Sequence, residues 1–421
     1  MTMFGRVLVW TGLLLAVAVV PCVHAQTVAV VNARIVAGPE AEPISRGTVL
    51  IRDGRIAAFG DADSVSVPQG MTVLDAGGGT VVAGFWNSHV HLIAPPLDHA
   101  AGHADAVLSD ALTSAYLRWG FTTVFDIASA PGNAFGLRAR IAAGDVRGPA
   151  ILTVDEPFFP KDGVPGYVPE TLGGWSLKQA EVATAAEASA RARRQLAQGA
   201  DGLKIFAGSM VGGEVGVLPM DLDIARAVAA AAHDAGKPLF AHPSNTEGME
   251  VAMASGVDVF AHTTPNIAPW PEAMVRRLVD ADIALVPTLA LIEVEVGKEG
   301  APAAVLDRLR ANASGQLRAF SEAGGDVLFG TDAGYADVYD TRSELRLMHA
   351  AGLDWRQLLA SLTSTPAARF GQRARKGRIA EGMDADLVIL ARDPAAGIEA
   401  FADVRYTLIA GRVVYAAEAA Q

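Results

Sequence analysis

The chain has 421 residues, 51% of them hydrophobic, and a formal net charge of −12 at pH 7. It can fill a large core, which excludes a disordered polar chain, and its acidic balance disfavours nucleic acid and anionic membranes as partners. The only cysteine, Cys22, excludes an internal disulfide framework.

Residues 1–25 read as a secretory signal. Arg6 is the only charge there, Val7–Val20 is mostly apolar, and Val23-His24-Ala25 is a suitable cleavage site. The apolar run is short for a membrane span. Cleavage would leave Gln26 first, remove the only thiol and take the charge from −12 to −13 through loss of Arg6. The expected product is an exported, periplasmic protein with no stable membrane association.

Residues 26–80 are short β-rich runs divided by Gly, Pro and Asp, among them "GTVLIRDGRIAAFG". The same texture returns over 377–421, in "GRIAEGMDADLVILA" and "VRYTLIAGRVVY". The two flanks predict one small β-sandwich built from both chain ends.

Between them, residues 81–376 alternate apolar runs with Ala-rich helical stretches such as Lys178–Gln198 and Ile224–Ala235. The candidate strands are Val81–His91, Thr122–Ala128, Ala150–Val154, Gly202–Gly208, Pro238–Pro243, Val257–His262, Ala284–Ala290 and Val327–Gly334. Eight strands alternating with helices predict a (β/α)8 barrel. A doubly wound sheet is disfavoured, because no Gly-rich phosphate loop follows the first strand.

Four histidines fall at the C-terminal ends of these strands, where barrels build their active sites: His89, His91, His242 and His262. His89 and His91, two apart, share one face of a strand. Asp332 ends the eighth strand. Lys204 sits within the apolar run "GADGLKIFAG", facing the same way as Gly202 and Phe206. Each feature alone has a bland reading: a packed histidine, a turn aspartate, an ion-paired lysine. Together they predict a metal site, since imidazole and carboxylate are common ligands of zinc and similar ions. His99 and His103 lie beyond the strand end, in a loop, and are not expected to be ligands.

"AGFWNSHVHL", "GADGLKIF", "GTDAG", "TSTPAARFG" and "GRIAEGMDADLVIL" resemble segments of the amidohydrolase superfamily, in its imidazolonepropionase-like and Xaa-Pro dipeptidase-like branch. The resemblance implies that His89, His91, His242, His262 and Asp332 bind divalent metal, two Zn ions per subunit. It also implies that Lys204 carries CO2 as a carbamate bridging them. Burial suits this, because it favours the neutral amine that captures CO2. An ion pair and a Schiff base are the alternatives for Lys204; the four histidines weigh against both. The implied reaction is hydrolysis of an amide or cyclic amide, in a dipeptide or N-acyl amino acid, by a metal-bound hydroxide, with Asp332 and Lys204 as the catalytic groups. Asp332 would shuttle the proton.

Asn87 stands where the family commonly has Asp. A mononuclear deaminase is the rival enzyme, but its usual Glu close after the fifth-strand histidine is missing; Glu247 is the first. A non-catalytic periplasmic barrel is the other rival. The substrate is expected to be a small molecule touched by Tyr167, Trp270 and Tyr335, with Phe158, Phe159, Trp175 and Tyr339 as further loop aromatics. Lys161 is one of few cations placed to hold a substrate carboxylate. A homo-oligomer is left open.

Overall fold

The computed structural model describes residues 27–418 except 169, 170 and 173. The expected signal over 1–25, with Arg6 and Cys22, lies outside the described residues.

The two chain ends do build one β-unit, but as a single eight-stranded mixed sheet in place of the expected sandwich. Thr27–Ile35 pairs antiparallel with Ile44–Arg52 on one edge, and parallel with Thr72–Asp75 and Thr80–Ala83 on the other. The shared strand keeps the ladder continuous, so it never divides into two sheets. Thr80–Ala83 then pairs antiparallel with Leu387–Leu390, which binds the N-terminal flank to the C-terminal one. Val30, Ile35, Val49, Val81, Leu387 and Ile389 form a core of their own between these strands.

The expected strand Val81–His91 is two strands, Thr80–Ala83 and Phe85–Val90, broken at Gly84. The first belongs to the terminal sheet and only the second to the barrel. At Gly84 the N–H donates to Asp386 O at 2.8 Å. A Cβ there would stand 2.2 Å from Thr122 Oγ1, so no larger residue fits the crossing.

The central region is a TIM-barrel-like α/β layout with two parallel arcs. Phe85–Val90, Phe121–Asp126 and Ala150–Thr153 form the first. Leu203–Phe206, Leu239–His242, Val259–Phe260 and Ala284–Leu285 form the second. Most of these strands are shorter than the apolar runs suggest. Pro243 and Pro287, which have no N–H to donate, follow the ends of two of them. The expected eighth strand, Val327–Gly334, is no regular strand. It makes single parallel bridges, Val327 to Leu285 and Ala333 to Val90. On the other side Phe158 bridges Ile205, and Asp201 N donates to Thr153 O at 2.7 Å.

The expected helix Lys178–Gln198 begins later, at Ala185, because Thr184 caps it by accepting from Glu187 N; it ends at left-handed Gly199. Leu222–Asp234 is capped in the same way by Asp221. Helices and strands pack over one large apolar cluster. A smaller cluster of Phe125, Phe240, Val259, Val286 and Leu328 fills the space between the strands. No described helix is long and apolar enough to cross a membrane.

Candidate metal centre and substrate cavities

His89 and His91 leave the first barrel strand with their Nε2 atoms 3.3 Å apart. Asp332 meets them from the opposite segment: its Oδ1 lies 2.8 Å from His91 Nε2 and 3.3 Å from His89 Nε2. His262 Nε2 is 3.8 Å from Asp332 Oδ2. Two glycines let this segment lie so close. A Cβ at Gly330 would reach 2.7 Å from His89 Cβ, and one at left-handed Gly334 would reach 1.8 Å from His91 O. Asn87, buried beneath, ties the two segments: its amide donates to Thr331 Oγ1 at 2.8 Å and its Oδ1 accepts from Thr331 N at 3.2 Å.

The hydrogen bonds behind the rings fix their protonation. His89 Nδ1 is 2.9 Å from Ala261 O, and His91 Nδ1 is 2.9 Å from Ala128 O. Carbonyls only accept, so each Nδ1 carries the hydrogen and, in the neutral ring, Nε2 presents its lone pair. His262 Nδ1 meets Thr288 Oγ1 at 2.7 Å, and that hydroxyl spends its own hydrogen on Pro287 O at 2.9 Å. This ring too must donate from Nδ1. Such partners behind a ring are typical of metal-ligating histidines.

Burial holds His89 neutral, pushing its pKa down to about 4. Burial also lowers His242 to about 3 and His262 well below the usual range. Asp332 Oδ1 is buried without a hydrogen-bond donor. Lone pairs from His89, His91 and Asp332 therefore converge, within 4.8 Å of one another, on a point with no hydrogen to share. Such a set repels itself unless a cation sits among it, so the residues fit a divalent metal.

Lys204 lies on the same wall and is 1% exposed. Burial lowers its pKa to about 7. Among the described residues, no carboxylate pairs with its Nζ within 4.0 Å, and the charge of Asp332 opposes the effect of burial. His242 lines the wall as well, stacked on Phe206 with centroids 4.9 Å apart.

Two cavities meet here. An inner chamber of about 100 Å³ holds His89, His91, Lys204, His242, His262 and Asp332, walled by Phe159, Trp175, Leu177 and Phe206. An outer groove of about 630 Å³ shares Tyr167, Met210, His242, His262, Leu291 and Glu295 with it. The groove is bordered by an unforeseen hairpin, Gly208–Gly212 with Gly216–Pro219.

Tyr167 and Tyr335 line the chamber, ring centroids 5.7 Å apart. Trp270 lines neither cavity. It is 4% exposed in the core, where its indole N–H finds Thr264 Oγ1 at 2.8 Å; a buried indole needs such a partner more than it needs a ligand. Phe158 and Tyr339 are also absent from both walls. Lys161 is exposed and outside, and His99 pairs with Asp98 at the surface. Glu247 is exposed on a helix, which leaves the deaminase reading without its proton carrier. Sequence reasoning missed the carbonyls of Ala128 and Ala261, since a backbone acceptor has no residue-type signal. It also missed Thr288 and Glu295.

Residues 80–414 match the amidohydrolase family. The chain belongs to that family. It is accordingly a hydrolase of carbon–nitrogen bonds. Solved structures with the same fold include a Xaa-Pro dipeptidase with bound methionine in its active site, 22% identical over 93% of this chain and 100% of that one, with a TM-score of 0.79. Molinate hydrolase is 22% identical over 92% and 94%, TM-score 0.77. Phenylurea hydrolase B is 23% identical over 92% and 96%, TM-score 0.75. No curated protein matches the chain.

Proposed function

We propose that this amidohydrolase is a periplasmic enzyme that cleaves an amide or cyclic amide using a pair of divalent metals, zinc by the donor set. His89, His91, His242, His262 and Asp332 would hold them, with Lys204 between as a carbamate. The observation that carries the reading is the convergence of Nε2 lone pairs on buried, donor-free Asp332 Oδ1. Bound there, the metals would supply Lewis-acid polarisation of a carbonyl and water that ionises near neutral pH. Asp332 would accept the proton of the attacking water at its carboxylate and hand it to the departing nitrogen. The Nδ1–H bonds of His89, His91 and His262 would hold those rings still. Phe159, Trp175 and Phe206 would keep bulk water from the chamber.

Metal analysis of wild-type and Lys204→Ala protein tests this. The wild type should hold two zinc ions per chain and hydrolyse amides. The variant should hold less metal and lose most activity, with partial recovery of both when short carboxylates are added. Full metal content and near-normal turnover in Lys204→Ala would reject the bridging carbamate.

A further inference from the structure

We propose that the substrate carries no carboxylate: it is a neutral amide with a compact apolar end in the inner chamber, a bulkier end in the outer groove, and an N–H received by Glu295. This deepens the hydrolase reading above and rests on it.

The charges around the two cavities point this way. Among the described residues that line them, Lys204 is the only lysine or arginine. As a carbamate it would be an anion. Lys161, the cation expected to hold a substrate carboxylate, is exposed and lines neither cavity. Two carboxylates do line them, Asp332 and Glu295. A substrate carboxylate away from the metals would have to leave water with no guanidinium or ammonium to meet it, which is among the costliest burials a site can ask for, and one bound on the metals would take the place of the scissile carbonyl.

Size and lining define the two ends. An apolar cavity of about 150 Å³ accepts a benzene molecule. A chamber of about 100 Å³ walled by Phe159, Trp175, Leu177 and Phe206 therefore takes an apolar group no larger than one ring. The groove, at about 630 Å³, has room for the rest.

Glu295 stands where the two spaces join. Its Oε1 accepts from Tyr335 Oη at 3.1 Å and from Lys298 Nζ at 2.9 Å. Its Oε2 makes no hydrogen bond among the described residues. Lys298 lies over the Tyr335 ring, 4.3 Å from the centroid, half exposed and off both walls. It balances Glu295 from the solvent side and adds no cation to the cavities. The unused carboxylate oxygen is an acceptor for an N–H of the substrate.

A matched pair tests the proposal: N-isobutyryl-leucine and its carboxamide, with the same scissile bond, on the zinc-loaded full chain. Release of leucinamide should exceed release of leucine by at least tenfold in kcat/KM. Glu295→Gln should raise KM for the carboxamide with little change in kcat, and Glu295→Lys should shift the preference tenfold or more toward the acid. The same two compounds are also compared as ligands by thermal melting, which needs no turnover. The carboxamide should raise Tm more than the acid. Equal turnover, a preference for the acid, or equal or reversed protection would overturn the inference. Protection favouring the carboxamide without hydrolysis of any amide would support the inference and overturn the hydrolase reading instead.

Discussion

Thr288→Val removes one hydroxyl and leaves shape almost unchanged. Thr288 is 2% exposed, with a left-handed φ of 47°, and valine is branched in the same way, so backbone strain cancels between the two. What is lost is the acceptor 2.7 Å from His262 Nδ1. The ring then has two choices. It can keep its proton on Nδ1, unpaired in a buried site, at about 1–3 kcal/mol. Or it can move the proton to Nε2 and lose the lone pair that would face the metal. Either way the ligand form becomes rarer, and loss of such a partner typically weakens metal binding about 10–100-fold. That corresponds to roughly 1.4–2.7 kcal/mol. Competition with a chelator measures the apparent dissociation constant for zinc. Thr288→Ser should restore wild-type affinity, because it returns the hydroxyl. An affinity within about twofold of wild type in a folded Thr288→Val protein would refute the assignment of the His262 proton.

Asp332→Asn should lower turnover by a factor of about 10²–10⁴, the usual worth of a positioned acid–base group, while part of the zinc remains; steady-state rates and metal analysis check both. Gly334→Ala should destabilise the fold by about 3 kcal/mol, from overpacking against His91 O and a positive φ, and urea unfolding reads this directly. Glu344 gives a pH dependence. Burial pushes it up to about 7, against the two backbone N–H groups of Ala290 and Leu289 that it accepts from. The folded chain holds this proton more tightly than the unfolded one. Its contribution to stability is therefore complete below the ordinary carboxyl range and lost as pH rises to about 7. Glu344→Gln should flatten the fall in Tm across that window, and parallel profiles for the two proteins would contradict the assignment.

Features encoded by side-chain type and period were open to reading in the sequence. The alternation of apolar runs and Ala-rich stretches gave the α/β layout. His89, His91, Lys204, His242, His262 and Asp332 stood out because such groups are rare at the ends of apolar strands, and all of them line one chamber. The features that escaped depend on the partner across the fold. Val81–Trp86 reads as one apolar run through Gly84, so nothing local marks that glycine as the exit from one sheet into another. Trp270 is an aromatic in a loop, and only its neighbour Thr264 decides that it turns inward. Glu295 sits on the helix Leu291–Glu299, beyond the strand expected over Ala284–Ala290, and its place between two cavities follows from where that helix starts.

The pairing of Thr80–Ala83 with Leu387–Leu390 sets an order of events during synthesis. The segment that leads into His89 emerges early, but its partner strand leaves the ribosome only after the whole barrel. Until then Val81 and Val82, both buried in the finished sheet, have no neighbour on that edge, and the contact must close a loop spanning most of the chain. A nascent or truncated chain ending before residue 387 would present that open edge to other chains. The last strands thus decide whether the first histidine-bearing strand is held in place, however well the barrel between them has formed.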